Sequence, residues 1–400
     1  MWGPSVFVIP MTEELGWTRA TFFLAFTVRG VTVGLISPFV GPVFDSRHGP
    51  RAAMIAGGVL MGMSMAGIRY VDHLWQFLLL FGVAGGIADL GSGFVISRSV
   101  IPKWFVRRRG RALGIGIAGV GLGATVFPGS VALLVNAVGW RDAWVYFGVI
   151  AGAIKVTLGL FVRTRPEDIG LLPDGGLVPA VSIEIPGQGM RPHTLQERSF
   201  TRREALRSRA FWVLLATFTL VGFGITGFQT NWLPFLLERN FTLASAAGGI
   251  LFYGVLSGFS RPVWGWVGER IPPRFLLAGS ALFTGVSIFA FLHVTSLPLL
   301  AGYMTIAGVS MGGFLILQSL LTSNYFGREH IGAITAMMAP AAIVSTSISP
   351  LIIGALYDLN GDYVYAFTFA AVAWISAGVV ALFAKPPKRA LTDTSDAVIS

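Results

Sequence analysis

Apolar positions run in long, nearly unbroken blocks instead of alternating with polar ones or marking one face of a surface helix. Blocks able to span a bilayer as a helix, which takes about 17–25 residues, fall near 20–44, 52–71, 74–97, 112–138 and 143–162. A polar stretch dotted with proline follows from Arg163 to Arg209. Six more blocks lie near 211–237, 245–267, 275–292, 297–322, 332–355 and 364–384. Many contain Gly and Pro, which membrane helices tolerate because neighbouring helices re-satisfy the backbone. Residues 1–11 are apolar but too short to cross, and no basic stretch precedes them as in a signal peptide. They read as the second half of a first helix whose beginning is absent, by truncation or a misassigned start; a short interfacial segment is the other reading. The pattern predicts an all-α membrane protein of about twelve helices. It divides into a bundle over 1–162 with its first helix incomplete, a linker over 163–209, a second bundle over 210–384 and a tail over 385–400.

Composition agrees. Hydrophobic residues fill 54% of the 400 positions and charged residues 12%, about half the charged fraction of a soluble chain. Mean hydropathy is +0.71. So few charges cannot cover a water-facing surface of this size, so the bulk solvent is lipid. The chain has no cysteine, which excludes disulfides, thiolate metal sites and cysteine nucleophiles. Five scattered histidines show no metal-ligand spacing, and no cofactor or metal is expected.

The net charge of +10 would suggest nucleic acid, but the positions of the charges argue otherwise. With the connection after the second block taken as cytoplasmic, 21 of the 29 Lys and Arg fall in cytoplasmic loops and tail and only four in outer loops. Excess cationic side chains mark the cytoplasmic side. The linker and C-terminus are therefore expected inside a multi-pass inner or plasma membrane protein, with no nucleic-acid partner. The run from Lys103 to Arg111 sets topology and also suits contact with anionic lipid heads.

The chain repeats. Pro10-x-x-x-Glu14 recurs as Pro234-x-x-x-Glu238, and Gly41-x-x-x-Asp45 as Gly265-x-x-x-Glu269, both at an offset of 224 residues. A weaker echo links Asp142-Ala-Trp-Val-Tyr with Asp362-Tyr-Val-Tyr. Six helices, a linker and six helices in the same orientation form a parallel repeat, which places a substrate site near the midplane between the halves.

Gly41-Pro-Val-Phe-Asp45-Ser-Arg47-His-Gly49-Pro-Arg51 resembles the loop signature of the major facilitator superfamily, with one extra residue between Asp and Arg. More specific are Trp104-Phe-Val-Arg107-Arg108-Arg109-Gly110-Arg-Ala112-Leu-Gly114, Trp140-Arg141, and Arg165-Pro-Glu-Asp168-x-Gly170-Leu-Leu-Pro173-Asp-Gly175. Tyr325-Phe-Gly-Arg328 and Gly354-Ala-Leu-Tyr357-Asp-x-x-Gly361-x-Tyr363 extend the match. Together they look like the monocarboxylate transporter family, including its oxalate–formate antiporter branch. The resemblance implies the major facilitator fold of two six-helix bundles and alternating access driven by an electrochemical gradient. It also makes Gly41, Asp45, Arg47 and Arg51, with Gly265, Glu269 and Arg270 in the second half, a conformational gate.

Charges inside the blocks carry the rest. An Arg at a helix centre costs roughly 2.5–3.5 kcal/mol and needs a partner, a cavity or a route to the interface. Arg261 lies eight residues before Glu269, about 12 Å from the helix end at about 1.5 Å per residue, close to the midplane. Arg261-Pro262-x-x-Gly265 resembles the eighth-helix motif whose arginine is taken to bind the substrate carboxylate. A structural ion pair is the alternative. The animal members carry an aspartate four residues earlier; here that position is Ser257, so their proton-coupling pair is not carried over. The family's first-helix lysine is also missing, since no lysine precedes Lys103.

Asp89, the one acid deep in a block, is a candidate proton carrier or the partner of Arg29, itself a candidate substrate contact. Gln229, Thr230, Asn231 and Gln318 are uncharged candidates for orienting substrate or for bonds between helices. Arg98 reads as a latch to Asp45, and Lys155 as a side chain reaching for the interface. Gly114-x-Gly116-x-x-Gly119 lacks the strand a dinucleotide site needs and reads as close helix packing.

The expected function is secondary transport of a small organic anion, a monocarboxylate or short dicarboxylate, coupled to protons or a counter-anion, and not an enzyme. Four embedded cations against one acid suit an anion. The competing readings are export of another small solute and an inactive or sensor form of the same scaffold; the linker is too polar and proline-rich to supply a sensor domain.

Overall fold

The computed structural model describes residues 6–91, 93–175, 182–185, 189–192 and 199–387. Residues 388–400, most of the predicted tail, lie outside the described residues.

Twelve helical segments follow the predicted order. α1 spans Val8–Leu15 and stops at Gly16, whose left-handed φ of 66° closes the last turn. α2 spans Arg19–Val40, opened by the Thr18 side chain accepting from the Thr21 amide, and α3 spans Gly49–Gly67. α4 begins at Leu74–Phe77, widens into a π-helical stretch over Leu78–Ala84, continues through Gly85–Leu90 and resumes over Gly93–Trp104. A single helical run, Arg109–Phe161, turns back at Gly139, where φ is 78° and ψ 165°. The run is thus α5 (109–138) and α6 (140–161). α7 spans Arg209–Thr230 and continues after Asn231 as Trp232–Glu238. α8 spans Leu243–Gly268, α9 Pro273–Phe291 and α10 Leu297–Phe326. α11 spans Ile331–Asn360 and α12 Val364–Leu382.

Among the described residues nine helices are long and apolar enough to cross a membrane. α1 is short, and α4 carries a π-helical stretch. Side chains that would be indefensible in water, such as Phe39, Leu133, Phe259, Leu351 and Leu359, are more than two-thirds exposed. These are lipid-facing positions.

The linker, predicted as polar coil, carries two short strands, β1 (Ser182–Ile185) and β2 (Gly189–Pro192), paired antiparallel. A one-turn helix, Arg202–Arg207, follows, with a capping box between Thr201 and Glu204.

Each half has its own core. In the C-terminal half Phe228, Trp232, Phe235, Phe291, Tyr303, Phe367 and Trp374 interlock. In the N-terminal half Phe7, Phe22, Phe77, Phe81 and Trp144 do so. A smaller apolar plug of Leu113, Ile117, Ile316 and Leu320, with Ile101 against it, joins α4, α5 and α10 across the halves.

All loops that the repeat places on the linker side meet there. Arg328 bonds Glu167 at 2.6 Å and the Lys103 carbonyl at 3.0 Å, and Thr164 bonds the Arg47 carbonyl at 2.6 Å. At the far end, among the described residues, the ion pairs and side-chain hydrogen bonds stay within one half. Arg141 reaches Glu14 and Asp72, each at 3.0 Å, and Tyr357 bonds Glu238 at 2.6 Å.

Candidate substrate site and its gate

The two Gly-x-x-x-acid segments do the same work in each half. Asp45 accepts from the amides of Gly332 (3.0 Å) and Ala333 (2.8 Å), the first residues of α11. Glu269 accepts from the Arg111 amide (2.9 Å) at the start of α5, and from Arg111 Nε (2.8 Å). An anion at a helix N-terminus is satisfied by free N–H groups and the dipole. Here each acid uses a helix of the opposite half to hold the linker end shut. The glycines permit the approach. A β-carbon at Gly41 would strike Ala336, and one at Gly265 would strike the Gly110 carbonyl.

Arg98 does not latch onto Asp45 as the sequence suggested. Asp45 is instead held by Lys103, whose Nζ lies 2.8 Å from Oδ1 and which is 1% exposed. With two amides and a lysine on its oxygens, Asp45 is saturated. Arg98, five residues earlier on α4, crosses to α10, bonding Ser319 Oγ with Nε (2.8 Å) and Gln318 Oε1 with a terminal nitrogen (2.6 Å). Gln318 is thereby a gate acceptor in this state. Nothing in the spacing flagged Lys103, which sat in a run read as setting topology and meeting anionic lipid heads.

Three other predicted gate residues serve their own half. Arg47 is exposed, with Nε 3.4 Å from Asp168. Arg51 shares a cleft with Arg47, Arg163 and Asp168. Arg270 stacks over Trp266, 3.7 Å from the ring centre.

Gly110 and Gly114 of α5 touch α8 backbone at the gate. Ile117 of α5 and Arg261 of α8 meet beyond this contact. The Arg261 guanidinium, on a residue 6% exposed, donates to the Ile117 carbonyl at 2.7 Å, and its Nε is buried without a partner. Among the described residues it meets no carboxylate. Ser37, which precedes it by the repeat offset of 224, donates to the Ala336 carbonyl of α11 at 3.2 Å. Repeat-related positions therefore bridge the halves, and only the C-terminal one is charged.

On α8, Tyr253 and Ser257 continue the face of Arg261 at one-turn intervals, a helix bringing i and i+4 together. Gln229 of α7 donates to the Tyr253 hydroxyl at 2.8 Å, so it joins this polar column. Asn231 turns back to the Gly227 carbonyl (2.7 Å) and Thr230 to the Thr226 carbonyl (3.0 Å). Both stabilise the break in α7.

Arg29 clamps Asp89 with two hydrogen bonds, 2.7 and 2.9 Å, and lies over Phe81 at 4.6 Å. Lys155 donates to the Ala88 carbonyl of α4 at 3.2 Å instead of reaching for the interface, from the level at which α6 packs on Gly58 of α3. The pairing of Asp89 with Arg29 is thus formed in this structure.

The chain matches the Major Facilitator Superfamily over residues 1–260 and 240–398. It is 26% identical over 392 residues to the oxalate:formate antiporter of Oxalobacter formigenes, covering 96% of this chain and 86% of that one. Identity to monocarboxylate transporter 6 of Homo sapiens is 26% over 358 residues, covering 84% and 67%. Among solved structures, the proton:xylose symporter XylE superposes with a TM-score of 0.72 at 12% identity, over 96% of this chain and 92% of that one. On the family match and this fold, the protein is a membrane transporter of the Major Facilitator Superfamily, resembling its monocarboxylate transporters, and not an enzyme.

Proposed function

We propose that the protein is a secondary active transporter that exchanges small organic anions, monocarboxylates or short dicarboxylates, across a plasma or inner membrane by alternating access. The observation that carries this is Arg261: a buried guanidinium between the halves, with one donor on a neutral carbonyl, its Nε unused and, among the described residues, no acid beside it. A buried charge without a counter-charge is costly. A carboxylate answers it with two parallel, charge-assisted bonds. The polar column of Ser257, Tyr253 and Gln229 offers neutral donors and acceptors above it.

The excess of arginines at the linker end supports a cytoplasmic linker and C-terminus. With that orientation the closed linker end is the cytoplasmic side. Asp89 is occupied by Arg29, which favours exchange against a counter-anion over proton symport, and the oxalate:formate antiporter likeness supports the same choice.

The test is counterflow in proteoliposomes with a panel of radiolabelled carboxylates. Removing one partner of a desolvated charged pair costs about 2–5 kcal/mol, so Arg261→Ala is expected to slow exchange by roughly 100-fold. Exchange of no carboxylate by the wild type, or wild-type exchange by Arg261→Ala, contradicts the proposal.

A further inference from the structure

We infer that a cavity beside the closed gate binds a phosphate group from the linker side, and that the bound phosphate holds the two halves together as a brake on transport. The inference rests on the alternating-access reading above and goes beyond it, since the phosphate is a regulator and not the cargo.

A cavity of about 270 Å³ opens at the linker end. The turn between α4 and α5 lines it with Arg107 and Arg109, the turn after α8 with Glu269, Arg270 and Ile271, and α10 with Asn324. It lies between the halves, so it is whole only while Glu269 caps α5. Sites for drug-sized ligands take roughly 300–1,000 Å³, so this one suits a smaller group.

The wall is one-sided in charge. Glu269, its one acid, accepts from the Arg111 amide and from Arg111 Nε. Arg109 is buried and already bonded to Asn324 and to the Phe105 carbonyl, each at 3.1 Å. Arg107 and Arg270 are exposed, and among the described residues neither has an ion-pair partner. Both stand on fixed supports. The Arg107 amide donates to Asp174 at 2.8 Å, and the amides of Val106 (3.1 Å) and Arg108 (3.3 Å) join it, which pins the turn and fills that carboxylate. The Arg270 guanidinium stacks 3.7 Å from the Trp266 ring centre, leaving the N–H edge of its plane for a ligand.

A guanidinium meets an oxoanion edge with parallel, charge-assisted bonds. A carboxylate has one such edge and answers one arginine, whereas a phosphate has oxygens for two. Arg107 belongs to the N-terminal half and Arg270 to the C-terminal half. Opening the linker end therefore parts them and releases the anion. A ligand that binds only the closed state opposes opening by its own binding free energy.

Binding is measured first, with radiolabelled inorganic phosphate, the full chain in a neutral detergent, and ionic strength held with chloride. The wild type is expected to bind phosphate saturably, and Arg107→Gln and Arg270→Gln each roughly tenfold more weakly. Arg203→Gln, on the linker helix outside the cavity, and Arg261→Ala should bind it as wild type does. Carboxylate counterflow in phosphatidylcholine vesicles should slow about fivefold at saturating phosphate. Excess carboxylate should not restore it, and each Gln variant should lose the effect relative to its own phosphate-free rate. A further arm adds phosphatidic acid to vesicles without phosphate. Stronger slowing there than with free phosphate makes a lipid headgroup the natural source; weaker slowing makes it a soluble phosphate. No saturable binding, or equal binding by wild type and both Gln variants, overturns the inference. So does exchange that bound phosphate leaves unslowed, or slowing that excess carboxylate relieves, which would put phosphate on Arg261. Phosphate binding with the expected variant pattern, in a chain that exchanges no carboxylate, would sink the transport reading and leave the site standing.

Discussion

At the residue scale, the charges buried in this protein divide by whether they hold one half together or bridge two. Arg29 and Asp89 lie within the N-terminal half, clamped at 2.7 and 2.9 Å, with the Asp89 side chain one-third exposed. Asp89→Asn leaves Arg29 without its counter-charge, and partial exposure reduces the cost to about 1–3 kcal/mol. We expect a lower melting temperature in detergent and a pH profile of transport unchanged from wild type. The double variant Arg29→Met/Asp89→Leu should melt above Asp89→Asn, since no charge is left stranded. A pH profile that moves with Asp89→Asn would return Asp89 to the role of proton carrier. The sequence exposed the buried cations and the single deep acid, because each violates the apolar pattern around it. It could not pair them. Arg98 and Gln318 are 220 positions apart, and Lys103 reaches Asp45 across 58. Those partners are decided by which helix faces meet.

At the element scale, the Gly-x-x-x-acid segments join local sequence to gating. Glycine lets α8 lie on α5 where Gly265 faces Gly110, and the acid four residues on caps the opposite helix. Overpacking a tight contact costs about 1–3 kcal/mol. Gly265→Val is therefore expected to weaken the closed linker end and slow counterflow roughly tenfold while the protein stays monodisperse. Gly279→Val on α9, which meets nothing within 4 Å, should transport as wild type. Equal effects of the two would remove the close approach from the account. Helix existence was legible from block length, and the break near Gly139 from the gap between the blocks ending at 138 and starting at 143. The π stretch at Leu78–Ala84 was not, since its residues are as apolar as those of any membrane helix. The small hairpin in the linker was also hidden, its strands being too short to show a period.

At the scale of the whole molecule, the offset of 224 residues seen in the sequence becomes a pseudo-twofold gate. Asp45 caps α11, Glu269 caps α5, and the capped residues Ala333 and Arg111 are themselves 222 positions apart. Symmetry makes the gate; its breaking makes the site, since Ser37 in one half stands where Arg261 stands in the other. The repeat and the family were both readable in the chain. The closed state was not, because one sequence serves every conformation of the cycle.

Alternating access by an anion is the central claim, and the absence of native cysteine allows paired spin labels to test it directly. One pair, at Arg107 and Ile271, spans the linker end; a second, at Val138 and Leu243, spans the far ends of α5 and α8. Adding a saturating carboxylate that the protein exchanges should lengthen distances in the first pair and shorten them in the second, while the matching uncharged amide moves neither. If the carboxylate leaves both distributions fixed, or the amide shifts them equally, the negative charge of the substrate does not drive the transition and the account is wrong.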